Sequence, residues 1–60
     1  GWPKEGDLYY TPALSLDELV GAETWRARRY DNILRDRNLV LRTKEDAIAT
    51  AKKMLKAIQK

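Results

Sequence analysis

The chain of 60 residues has no Cys and no His. Without cysteine there is no disulfide framework, and without either residue the usual ligand set for zinc and other transition metals is missing. No metal and no cofactor is expected. The same gap removes the side chains most often used as nucleophile and general base. The one Ser, Ser15, sits where a helix cap is expected, and the three glycines stand at 1, 6 and 21, too scattered to cradle a phosphate. Asp17 and Glu18 are adjacent, so on a helix they diverge by about 100° and cannot share a substrate. A non-enzymatic protein is expected. No apolar run approaches the roughly 20 residues that cross a bilayer, and no charged and apolar leader marks a secretory signal. The expectation is a soluble chain without membrane contact, in a setting compatible with the reducing cytoplasm.

Phe is also absent, leaving two Trp and three Tyr as the aromatic complement. A chain this short lies near the lower limit for burying enough apolar surface to offset backbone entropy, so every large side chain is expected to join one core spanning 1–60. So small a core leaves little room for a metabolite pocket of about 300 Å³. A macromolecular partner is favoured over a small-molecule substrate. The chain starts on Gly rather than Met, so it is expected to be trimmed, processed or cut from a longer protein.

The net charge of +3 conceals an asymmetry. Residues 1–23 carry one Lys against five carboxylates, a net −4; residues 24–42 carry six Arg against Asp31 and Asp36, a net +4; residues 43–60 carry five Lys against Glu45 and Asp46, a net +3. If the acidic third folds away from the arginines, a basic patch results; if it interleaves, the charges pair.

The clearest element is the last. Thr43 can cap a helix, with Glu45 and Asp46 complementing its positive end. Ala47, Ile48, Ala51, Met54, Leu55 and Ile58 then fall within about 60° of Ala51 on the wheel. Lys52, Lys53, Lys56 and Lys60 project opposite, as a solvated face or a secondary phosphate contact. An amphipathic helix of roughly 15 residues is unstable alone in water, so it must pack on something.

A small sheet is the expected partner. GDLYYTP places Leu8 and Tyr10 on one face and Tyr9 and Thr11 on the other, between turn signals at Gly6 and Pro12. ETWRARRY repeats the pattern, with Trp25, Ala27 and Arg29 expected on one face and Arg26, Arg28 and Tyr30 on the other. Leu39 to Arg42 reads as a third short strand. LSLDELVG accommodates either a helical turn near residues 16–20 or an extended segment. Asp31 is expected to cap a short helix through Arg37 that buries Ile33 and Leu34, ended by Asn38 in the left-handed region. The fold class is α+β: an antiparallel sheet of two to three strands against a C-terminal amphipathic helix, with one or two short helical turns.

Trp2, Pro3, Gly6, Asp7, Tyr9, Tyr10, Trp25, Asp31, Asn38, Thr43, Glu45 and Ala47 form an ordered pattern over nearly the whole chain. It resembles a large group of small bacteriophage and prophage-encoded proteins of unknown function. Asn38 stands where that group often has Gly, and Leu41 where it usually has an aromatic. The resemblance implies a phage origin, a place in the host bacterial cytoplasm and a small α+β fold; it brings no catalytic residues. A second similarity covers Thr24 to Lys56. TWRAR, LVLRT and KEDAIATAKKML are similar to the DNA-binding domain of plant ethylene-responsive transcription factors and to N-terminal domains of some phage integrases. It implies a three-stranded sheet that enters the DNA major groove, supported from behind by a helix.

Two binding functions follow. In the first, Arg26, Arg28, Arg29, Arg35 and Arg37 contact DNA or RNA. On a strand, Arg26 and Arg28 would protrude roughly 6.5 to 7 Å apart, near the spacing of successive phosphates, with Tyr30 free to stack on a base or sugar. The competing account has these residues solubilise the sheet and pair with Glu5, Asp7, Glu18, Glu23 or Asp36. In the second, the chain binds a host protein or a second copy of itself through Tyr9, Tyr30 and Arg28, residue types enriched at binding hot spots. Alternation places Leu8, Tyr10 and Trp25 under the helix with Trp2 covering an edge, which leaves Tyr9 as the contact candidate of the opening stretch.

Overall fold

The computed structural model describes residues 1–15 and 17–59. The fold is α+β: strands β1 (Leu8–Pro12) and β2 (Val20–Thr24), a short helix α1 (Arg29–Asp36) and a C-terminal helix α2 (Lys44–Ile58). β1 and β2 pair antiparallel in a one-to-one register from Leu8 opposite Thr24 to Pro12 opposite Val20. Ala13 N–H donates to the Leu19 carbonyl at 3.2 Å and closes the hairpin loop. At the other end Trp25 N–H donates to Asp7 O at 2.7 Å and Gly6 N–H to Trp25 O at 2.9 Å, extending the pairing beyond the strands. Gly6 takes φ +94°, which glycine adopts without a Cβ clash.

The second strand is not ETWRARRY. It lies earlier, at Val20–Thr24, and Ala27 at φ 54° breaks the extended alternation the arginines would have needed. The third strand contracts to one bridge, in which Tyr10 N–H donates to Leu41 O at 2.8 Å and Leu41 N–H to Tyr10 O at 2.9 Å. Its length is set by its neighbours. Asn38 at φ 59° ends α1 with Asn38 N–H to Arg35 O and Leu39 N–H to Leu34 O, the paired bonds of a Schellman cap. Thr43 already begins α2, so only residues 40–42 remain to extend. Near residues 16–20 there is no helical turn among the described residues. Asp17 and Glu18 form a turn, Leu19 stands at φ 60° and Val20 opens β2; Leu16 lies outside the described residues.

The core inverts the expected phase of β1. Tyr9 is 0% exposed and Thr11 is buried, whereas Leu8 is 52% exposed and Tyr10 half-buried. Both faces of LYYT carry apolar groups, so the pattern alone cannot choose between them; a one-residue change of phase exchanges the faces. Trp25 is buried as expected and meets Tyr9 edge to face, with ring centroids 6.0 Å apart. Val20, Ala47 and Ala51 complete the buried apolar set. Two alanines on the inner face of α2 allow its backbone to approach the strands closely, and the helix packs on both β1 and β2. Beyond Leu55 the stripe runs past its support, leaving Ile58 66% exposed.

Thr43 Oγ1 accepts the Asp46 N–H at 3.1 Å, with the residue itself extended at φ −123° and ψ 153°. Thr43→Ala is expected to cost about 1 kcal/mol, lowering the melting temperature by about 4–8 °C in a domain of this size, while Thr43→Ser stays near wild type. Thermal melts followed by circular dichroism check this; equal losses in both variants would show that the hydroxyl does not cap.

Candidate nucleic-acid interface

The segment that carries the arginines is built around Asp31. Expected from sequence to be the helix cap, this residue is instead the third residue of α1, in its first turn; the cap position belongs to Arg28, which has no side-chain acceptor. The Asp31 carboxylate does the capping from within. Its Oδ2 accepts Arg26 N–H at 2.9 Å and Arg28 N–H at 3.2 Å, and its Oδ1 accepts the Tyr9 hydroxyl at 2.5 Å. Asn32 reinforces the bend, with Nδ2 donating to Ala27 O at 3.1 Å and Arg28 O at 2.9 Å. The residues from Trp25 to Arg28 are therefore a defined hook, held at several backbone atoms.

A buried carboxylate is costly unless each lone pair finds a donor. Here the Tyr9 hydrogen bond holds the Asp31 carboxyl below the usual carboxylate range; burial opposes it, and the two backbone N–H groups and the Arg28 charge assist. Burial pushes the Tyr9 phenol upward, and its hydrogen bond to Asp31 adds to the effect. Both groups keep their neutral-pH forms, phenol and carboxylate.

Around this anchor, Arg26, Arg28, Arg29, Arg35 and Arg37 are all exposed. They do not form a strand face. Arg26 and Arg28 leave the hook, so their expected phosphate-like spacing does not apply. Arg29 and Ile33 on α1 and Arg37 at its C-cap follow one another at four-residue steps, next to Tyr30. Tyr30 is 57% exposed and Ile33 37% exposed, so α1 does not bury Ile33 as expected, while Leu34 is half-buried. Arg35 is used differently: its guanidinium lies 5.5 Å from the Trp25 ring centroid, and its Nε is 3.7 Å from Asp36. It holds α1 against the core.

Tyr9 is not a contact residue, because its side chain is wholly enclosed and its hydroxyl is spent on Asp31. Of the expected ion pairs between the arginines and Glu5, Asp7, Glu18, Glu23 or Asp36, Arg35–Asp36 forms and the others are absent among the described residues. Glu18 pairs instead with Lys44 at 3.9 Å. Sequence reasoning also missed Arg42, whose guanidinium stacks 4.9 Å from the Trp2 ring centroid and ties the N-terminal segment to the start of α2. No local signal links positions 2 and 42. Trp2 is half-buried, in keeping with an edge position. The span Thr24 to Lys56 does not form the three-stranded sheet implied by the similarity to plant transcription factors, since α1 occupies its centre.

Among the described residues no cluster of carboxylates could hold a metal ion, and no helix is long and apolar enough to cross a membrane.

The Tyr9–Asp31 pair makes stability pH-dependent at both extremes. The Asp31 contribution is complete above the unfolded value of about 4 and is lost as pH falls through the lower folded value. The Tyr9 contribution is complete below about pH 10 and is lost as pH rises further. Urea midpoints measured from acid to alkali should show both declines. Tyr9→Phe should lose about 1–3 kcal/mol at neutral pH and the alkaline component of the decline; Asp31→Asn should be less stable at pH 7 with a shallower acid limb. Parallel pH profiles for wild type and both variants would contradict the arrangement.

Comparison with known protein families, with curated proteins and with solved structures finds no match to this chain.

Proposed function

We propose that this chain is a non-enzymatic binding module that contacts nucleic acid through the basic segment from Arg26 to Arg37, and that it derives from a bacteriophage or prophage. One observation carries the nucleic-acid reading. The five arginines of the segment are all exposed, Arg35 with its guanidinium against Trp25, while Asp31, one of its two acids, is folded inward and hydrogen bonded. Asp36 alone offsets them at the surface, and it already lies beside Arg35. Arg26, Arg28, Arg29 and Arg37 have no ion-pair partner among the described residues. Guanidinium groups with no fixed partner suit phosphate oxygens, and an exposed tyrosine beside them supplies a surface on which a base can stack.

A protein-contact reading has its own support. Tyr30 and Ile33 stand three residues apart on α1 and are both exposed, so a partner surface would find an aromatic, an aliphatic and flanking arginines together.

Salt dependence separates the two. Fluorescence anisotropy with mixed-sequence duplex and single-stranded DNA at about 50 mM salt is expected to give micromolar binding that weakens steeply toward 200 mM, as counterions are released. Arg29→Ala and Arg37→Ala should each lower the salt slope by about 1 without changing the melting temperature. Arg35→Ala should instead destabilise the fold, because its guanidinium rests on Trp25. Absence of micromolar binding at low salt would exclude nucleic acid as the partner.

A further inference from the structure

Among the described residues the sheet stops at β2 with one edge open. β1 is paired on both sides, by β2 along its length and by Leu41 through Tyr10. The pleat then dictates where the backbone groups of β2 point. Because Tyr10 directs its N–H and C=O to Leu41, Tyr9 and Thr11 direct theirs to Glu23 and Gly21; Val20, Ala22 and Thr24 must direct theirs away from β1. Among the described residues, the Ala22 N–H and C=O have no hydrogen-bond partner on that side. Ala22, Glu23 and Thr24 are exposed. The segment carries none of the features that blunt such an edge: no Pro, no Lys and no bulge.

We infer that β2 is a docking edge for a second copy of this chain, pairing antiparallel with the same strand about a two-fold axis at Ala22. The choice of a second copy rests on self-complementarity. Centred on Ala22, all five residues overlap: Ala22 meets the partner's Ala22, Val20 meets the partner's Thr24, and Gly21 meets the partner's Glu23. Each Glu23 then faces a glycine, and the two Glu23 residues stay diagonal across the ladder, their backbone positions about 7–8 Å apart. Centring on Glu23 would set them directly opposite, and centring on Gly21 would draw in Leu19, whose φ of 60° is not that of a strand. A depression of about 200 Å³ lined by Tyr10, Val20, Gly21 and Ala22, and by the paired Glu18 and Lys44, lies beside this edge, where the partner's Thr24 enters next to Val20. Pairing in this way joins the two hairpins into a continuous four-stranded sheet. The inference stands independently of nucleic-acid binding, though a dimer would present the arginine segment twice.

Sedimentation over a concentration series, together with amide exchange at Ala22, tests it. The expected results are a reversible monomer–dimer equilibrium and an Ala22 N–H whose exchange slows as concentration rises. Ala22→Lys, placed at an exposed side chain, should keep the helical circular dichroism and lose the dimer, because two ammonium groups would meet across the axis. A chain that stays monomeric into the millimolar range overturns the proposal. So does an Ala22 amide indifferent to concentration, or a dimer that survives Ala22→Lys and dissolves on Tyr30→Ala, which would place self-association on α1.

Discussion

The hydrogen bond from Tyr9 to Asp31 is the constraint on which the other features depend. It joins the middle of β1 to the first turn of α1, 22 residues away, where Tyr9 and Trp25 are enclosed. A carboxylate there would be prohibitive on its own, but it is met by the phenol and by two backbone N–H groups, all charge-assisted. Those N–H groups belong to Arg26 and Arg28, so the bond that closes the core also shapes the hook that precedes α1. Fold and candidate interface share one anchor.

The electrostatics follow from the same geometry. Moving Asp31 inward leaves Asp36 as the one acid of the central segment at the surface, which is therefore more basic than its composition implies. Two of the arginines are then drawn into structure. Arg35 covers Trp25 and Arg42 covers Trp2, stacking contacts worth about 0.5–1 kcal/mol at exposed sites. In a chain with so little core, such contacts are a sizeable share of what fastens α1 and the N-terminal segment to the body. The remaining arginines are the ones left for a partner.

Smallness also explains the sheet. With helix-capping commitments on either side, the Leu39 to Arg42 stretch contributes one bridge rather than a strand, and among the described residues β2 has no neighbour beyond it. The resulting ladder covers one flank of α2 and ends in an exposed row of backbone groups. A larger domain would shield such an edge with another element; 60 residues leave none to spare.

Local chemistry made part of this legible in the sequence. The last helix, its Thr43 cap, its alanine stripe and the left-handed Asn38 all depend on neighbours within about one helical turn, so spacing along the chain suffices to read them. The α+β class and the burial of Trp25 followed from the same kind of pattern. What only the tertiary structure decided is everything set by partners far away in the chain. Tyr9 rather than Tyr10 faces inward because Asp31 waits there to accept its hydroxyl, and a two-residue repeat with apolar groups on both sides has no phase of its own. ETWRARRY has strand-like alternation, yet it becomes a hook and a helix because Asp31 collects the backbone N–H groups of Arg26 and Arg28, and β1 finds its partner in the plainer Val20–Thr24. The arginines were visible as a cluster from composition alone; which of them rest on tryptophan and which stand free was fixed by contacts that span the fold.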